Sequence, residues 1–75
     1  MINQFAKNIV RVIPDATIDN IDELVIVTRD YRTYTVDYNK SRKLVTVYDE
    51  QNEIKVQCFE TEFYEALCKE GHFIL

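Results

Sequence analysis

Between Met1 and Ile13 the apolar residues Ile2, Phe5, Ala6, Ile9, Val10 and Ile13 recur at three- and four-residue intervals, with Asn3, Gln4, Lys7, Asn8 and Arg11 between them. That spacing predicts an amphipathic helix over residues 1–13. Pro14 would end it, because proline drives the preceding residue out of the helical region. Residues 15–22 read as a connection, with Ile18 and Ile21 as anchors into the core and Asp19 capping a short helical turn over 20–23.

From Glu23 the period changes to two. Leu24 to Thr28 is a β-branched, nearly continuous apolar run, which suits a buried strand. Thr33 to Tyr38 alternates, with Tyr34, Val36 and Tyr38 on one side and Thr33, Thr35 and Asp37 on the other. Leu44–Tyr48 follows the polar turn Asn39–Arg42, and Ile54, Val56 and Cys58 alternate with Lys55 and Gln57 after the turn Asp49–Asn52. Connections this short require antiparallel hairpins, since a parallel return takes a dozen or more residues. The expectation is a four-stranded antiparallel meander.

A second helix is expected after it. Thr61 is the expected N-cap, Glu62 suits the positive end of the helix dipole, and Phe63, Ala66 and Leu67 make one apolar stripe. Gly71 supplies the left-handed residue that stops the helix. The terminal residues His72-Phe73-Ile74-Leu75 are expected to pack back on the core. The fold class is thus α+β: a single domain over 1–75 of two layers, in the order α-β-β-β-β-α. Both helices would cover one face of the sheet, leaving the other open to a partner or a second copy.

Charge changes this picture more than composition does. Thirteen acidic and nine basic side chains give a net charge of −4. They are unevenly spread along the chain. Residues 15–23 hold Asp15, Asp19, Asp22 and Glu23. Residues 29–43 hold Arg29, Arg32, Lys40, Arg42 and Lys43 against two aspartates. Residues 49–70 hold seven carboxylates against two lysines. Read linearly, this gives a basic, tyrosine-rich middle and an acidic hairpin-plus-helix end. An acidic total works against general nucleic-acid binding, which needs net cation on the contact face.

The chemistry-bearing residues form no catalytic constellation. The one histidine, His72, follows the helix-ending Gly71, so Cys68 and His72 do not share a helix face, and no third group orients them. Cys58 reads as a small core residue and Cys68 as a half-buried helical one; their separation matches no metal or redox motif. Asp49, Glu50, Asn52 and Glu53 lack the alternating ligands and central glycine of a calcium loop. A chain whose sole glycine is Gly71 has no phosphate-cradling loop. No cofactor or metal is expected, and an enzyme is the least favoured class. No apolar run reaches the length of a membrane span, and residues 1–7 do not resemble a signal peptide, so a cytoplasmic location is expected.

What remains is recognition. The acidic set Asp49, Glu50, Glu53, Glu62 and Glu65 suits docking on a basic groove, where spaced charges imitate a nucleic-acid backbone and speed association. Tyr31, Arg32 and Tyr34 belong to the residue types that anchor protein interfaces. A short, acidic, Asn-, Ile- and Tyr-rich chain also resembles in type the accessory proteins of phages and mobile elements, the anti-CRISPR proteins among them. That resemblance implies an inhibitor or adaptor of a basic host protein such as a nucleic-acid enzyme, and it attaches to no particular residue. Two other classes remain: a nucleic-acid-binding domain using residues 29–43, and a self-associating assembly protein. Either a monomer or a homodimer fits the pattern.

Overall fold

A computed structural model describes residues 1–73. Helix α1 (Ile2–Lys7) leads into strand β1 (Ile9–Ile13), and the segment 14–24 contains a single 3-10 turn (Ile21–Glu23). Strands β2 (Val25–Thr28), β3 (Thr33–Asn39), β4 (Leu44–Tyr48) and β5 (Ile54–Phe59) follow, and helix α2 (Glu60–Lys69) comes last. The domain is α+β, with one antiparallel sheet in the order β1-β2-β3-β4-β5.

The sheet therefore has five strands rather than four, and the expected helix over 1–13 is half helix and half strand. The sequence Ile9-Val10-Arg11-Val12-Ile13 is β-branched at four of five positions, and such side chains lose χ1 freedom in a helix. Pairing with β2 sets Val12 beside Ile26 on the buried face, which a continued helix would forgo. Val10 is the extra residue of a bulge between Ile9 and Arg11. It is half exposed, whereas the helical reading placed it on the apolar stripe.

Both helices lie on the same face. Ile2 and Ala6 of α1 and Phe63, Ala66 and Leu67 of α2 share one cluster with Ile26, Val36, Val45, Val47 and Val56 of the sheet. Phe63 and Leu67 are completely buried, and the Phe5 ring meets Tyr34 edge-on at 5.0 Å between centroids. Three local expectations change. Ile21 anchors the core at 1 % exposure, but Ile18 is exposed. Asn20, not Asp19, organises the connection: its Oδ1 accepts the Thr17 N–H at 2.8 Å and its Nδ2 donates to the Asp15 carbonyl at 2.8 Å. Helix α2 begins at Glu60, so Thr61 lies inside it; the Phe59 N–H donates to Glu62 Oε1 at 3.2 Å.

The end of α2 follows the expected chemistry. Gly71 has φ 76°, its N–H donates to the Cys68 carbonyl at 3.1 Å, and the His72 N–H donates to the Leu67 carbonyl at 2.8 Å. This is the Schellman arrangement, and glycine adopts its left-handed position without a Cβ penalty. Phe73 packs back, with its ring 4.9 Å from Tyr64 and a parallel bridge to Ala16. Ile74 and Leu75, named above with it, lie outside the described residues. Cys58 is half-buried with its thiol pushed up to about 11 by desolvation, and Cys68 is exposed rather than half-buried. No helix among the described residues is long and apolar enough to cross a membrane.

Candidate protein-binding surface

In a chain-order meander the turns alternate between the two ends of the sheet. The β2–β3 and β4–β5 turns therefore share one end, and the Thr33 hydroxyl donates across it to Glu50 at 3.4 Å. Six of the eight expected contact residues meet here: Tyr31, Arg32 and Tyr34 from one hairpin, Asp49, Glu50 and Glu53 from the other.

The β2–β3 turn is a three-residue loop closed by Thr28 and Arg32. The Thr28 N–H donates to the Arg32 carbonyl at 3.1 Å, and the Tyr31 N–H donates to the Thr28 carbonyl at 3.0 Å. Such loops put their third residue in the left-handed region, normally a glycine or asparagine. Here that residue is Tyr31, at φ 63° and 93 % exposed. The loop is braced on several sides. The Thr28 hydroxyl donates to the Asp30 carboxylate, Arg32 Nε pairs with the same carboxylate at 3.3 Å, and the Arg29 N–H donates to the Asn8 carbonyl at 2.9 Å. The Thr28 hydroxyl, aided by Arg32, holds the Asp30 carboxyl below its ordinary range. The turn presents a large amphipathic ring from a fixed backbone.

The β4–β5 turn is organised by Asp49. Its Oδ1 accepts the N–H groups of Gln51 at 2.9 Å and Glu53 at 2.8 Å, and its Oδ2 lies 3.6 Å from Lys55 Nζ. The side chain is only 6 % exposed. The Glu53 N–H, then that of Gln51 and the Lys55 charge, keep the Asp49 carboxyl below its usual range despite burial. Asp49 thus builds the hairpin and is not a free contact charge, while Glu50 and Glu53 are exposed. Tyr34 is likewise half-buried beneath Phe5. Tyr31, Arg32, Glu50 and Glu53 are the members of the set that a partner can reach.

The division into a basic face and an acidic end does not survive folding. Strand β3 carries Arg29 and Arg32 to one end of the sheet and Lys40, Arg42 and Lys43 to the other, about 20 Å away at the usual strand rise. At the Tyr31 end, Lys7, Arg29, Arg32 and Lys55 face Asp30, Asp49, Glu50 and Glu53 in equal number. Glu62 and Glu65 lie apart from that hairpin, on α2. An acidic excess lies where α2 adjoins residues 18–22, around an open cleft of about 480 Å³ lined by Asp19, Asp22 and Glu60 against Lys40.

Glu60 is the residue that linear reading undervalued. Its side chain is 16 % exposed, accepts the phenol hydrogens of Tyr38 and, at 3.5 Å, Tyr64, and pairs with Lys43 at 3.4 Å. The Tyr38 hydrogen bond and then Lys43 lower the Glu60 pKa, while the same hydrogen bond pushes the Tyr38 phenol up to about 12. With Thr61 read as the N-cap, Glu60 lay outside the expected helix, and its partner Tyr38 is 22 residues away, so no local pattern signalled the role. Among the described residues no three His, Cys, Asp or Glu side chains are grouped to hold a metal ion. No protein-family model, curated protein or solved structure matches the chain.

Proposed function

We propose that this chain is a protein-binding module, an inhibitor or adaptor that occupies a surface of a basic partner such as a nucleic-acid enzyme. Tyr31 is the anchor, Arg32, Glu50 and Glu53 form its polar rim, and the acidic flank of α2 steers the approach. The conformation of Tyr31 carries the reading. A non-glycine residue in the left-handed region costs on the order of 1–2 kcal/mol. Here the side chain gains no burial in return, at 93 % exposure. Backbone strain held in place by its surroundings concentrates at functional positions, and tyrosine is among the residues that dominate interface energies.

The nucleic-acid alternative has less support. Arg32 is paired through Nε with Asp30, Arg29 Nε reaches the Lys7 carbonyl at 3.5 Å, and Asp30, Glu50 and Glu53 balance the local positive charge that a phosphate would need. The remaining basic residues of that segment lie at the opposite end of the sheet. The test is comparative affinity capture from host extract, read by mass spectrometry, with wild type and Tyr31→Gly as baits. A partner held by wild type and lost by the variant is the expected result; equal retention by both ends the proposal. For the captured partner, Glu62→Lys with Glu65→Lys lowers the association rate at low salt, because steering acts before contact.

A further inference from the structure

We infer that the open face of the sheet is a self-association surface, on which a second copy of this chain packs face to face across a two-fold axis. The strand pairing places Ile13, Val25, Thr35, Tyr48 and Ile54 in one row that crosses all five strands on the side away from the helices. Ile13, Val25 and Ile54 are 42, 36 and 57 % exposed. Further along, Leu44 pairs with Phe59, which is also exposed.

Three observations select a second copy as the occupant. The first is charge. In a chain with twenty-two ionised side chains, the strand positions on this face carry only Arg11 and Asp37, one of each sign. A strongly basic or acidic partner finds no complement there, whereas an isologous contact needs a surface that is neutral and self-complementary. The second is area. Five strands of four to seven residues, at about 3.3 Å per residue and about 4.8 Å apart, present roughly 430 Å² in projection before side-chain corrugation is counted. Specific association starts at roughly 600 Å² per partner. The face falls short of that size, which limits the contact to a weak, reversible dimer.

The third is that the edges are closed to the alternative. Edge-to-edge pairing needs a regular strand, and both edge strands carry a bulge, with Val10 extra in β1 and Lys55 extra in β5. Lys55 is itself a charge on an edge, and Ile9 of β1 has its carbonyl taken by the His72 ring at 3.2 Å. Two sheets stacked at the usual separation of about 10 Å would make a four-layer helix–sheet–sheet–helix dimer.

The test is sedimentation equilibrium over a wide range of protein concentration on wild type, Thr35→Arg and Tyr31→Gly. Thr35 is exposed at the middle of the row, so arginine there is compatible with the fold, which circular dichroism verifies. Near the two-fold axis it sets two bulky like charges against each other. The expected result is a reversible monomer–dimer equilibrium in wild type and in Tyr31→Gly, weakened at least about tenfold by Thr35→Arg, the equivalent of about 1.4 kcal/mol. A monomer at every concentration overturns the inference, and so does a dimer that Thr35→Arg leaves intact. Because Tyr31 lies off this face, failure here leaves the proposed anchor standing, and the reverse is also true.

Discussion

Replacing Tyr31 by glycine is expected to make the domain more stable while removing its proposed anchor. The left-handed conformation at φ 63° costs a tyrosine on the order of 1–2 kcal/mol, which glycine does not incur. Glycine gives back about 0.5–1 kcal/mol through the greater freedom of the unfolded chain. The side chain is 93 % exposed and accounts for little burial, so the net gain is about 0.5–1 kcal/mol. In a domain of this size that corresponds to a rise of roughly 2–8 °C in the melting midpoint. Urea and thermal melts followed by far-ultraviolet circular dichroism measure it. Asn52→Gly is the matched control: it also relieves a positive φ, at 64°, but asparagine tolerates that region and the gain is smaller. A Tyr31→Gly variant less stable than wild type refutes the reasoning, since it would mean that the ring packs on something. A gain in stability with loss of the captured partner separates a residue kept for binding from one kept for folding.

The other predictions concern groups whose ionisation the fold controls. Asp30, Asp49 and Glu60 have carboxyl pKa values depressed by folding, so their contribution is complete at neutral pH and fades as the pH falls through the folded values. The urea midpoint should drop on acidification below about pH 4, and Asp49→Asn should reduce that dependence; an equal drop in the variant argues against the role given to Asp49. The Tyr38 phenol, raised to about 12, should ionise after exposed tyrosines in an ultraviolet titration, and its contribution to stability is present below its unfolded pKa and lost as pH rises through 12. Tyr38→Phe should diminish the late-titrating component and leave that of Tyr64, whose phenol desolvation and Glu60 also raise. Alkylation at neutral pH should label exposed Cys68 first, with Cys58 reacting on unfolding because its thiol is half-buried and raised to about 11; equal rates contradict that burial.

The sequence made α2, the alternation of β3 and the hairpins between β2 and β5 legible, because each depends on neighbours within a few residues. Gly71 is the clearest case: a residue type, a backbone angle and a helix end coincide. Strand β1 was not legible by periodicity. Ile9, Val10 and Ile13 continue the helical spacing of Ile2, Phe5 and Ala6, and what decides for a strand is pairing with Val25–Thr28, some sixteen residues away. The β-branched content of Ile9–Ile13 was the signal that outweighed spacing. The contact surface was legible as residue types and not as an arrangement. Arg32 and Lys40 are near in sequence but sit at opposite ends of β3, while Arg32 and Glu50 are distant in sequence and share one end. Asp49 looked like a free surface charge when counted as one carboxylate among seven, although an aspartate that opens a tight turn characteristically accepts the N–H two residues on, as it does from Gln51.

The order of the strands also has a consequence for how the chain is made. Every strand pairs with its sequence neighbour, so the sheet assembles from local contacts of the kind that form quickly. Its cover comes from the two extremes of the described chain: α1 touches α2 and β5, both of the last elements. During translation the hairpins can therefore zip in turn while the apolar face of Ile26, Val36, Val45 and Val47 is still incompletely covered. Until Phe63 and Leu67 are made, only α1 can cover that face, in part through Phe5 on Tyr34, and that interval is when a holdase chaperone has the most to bind.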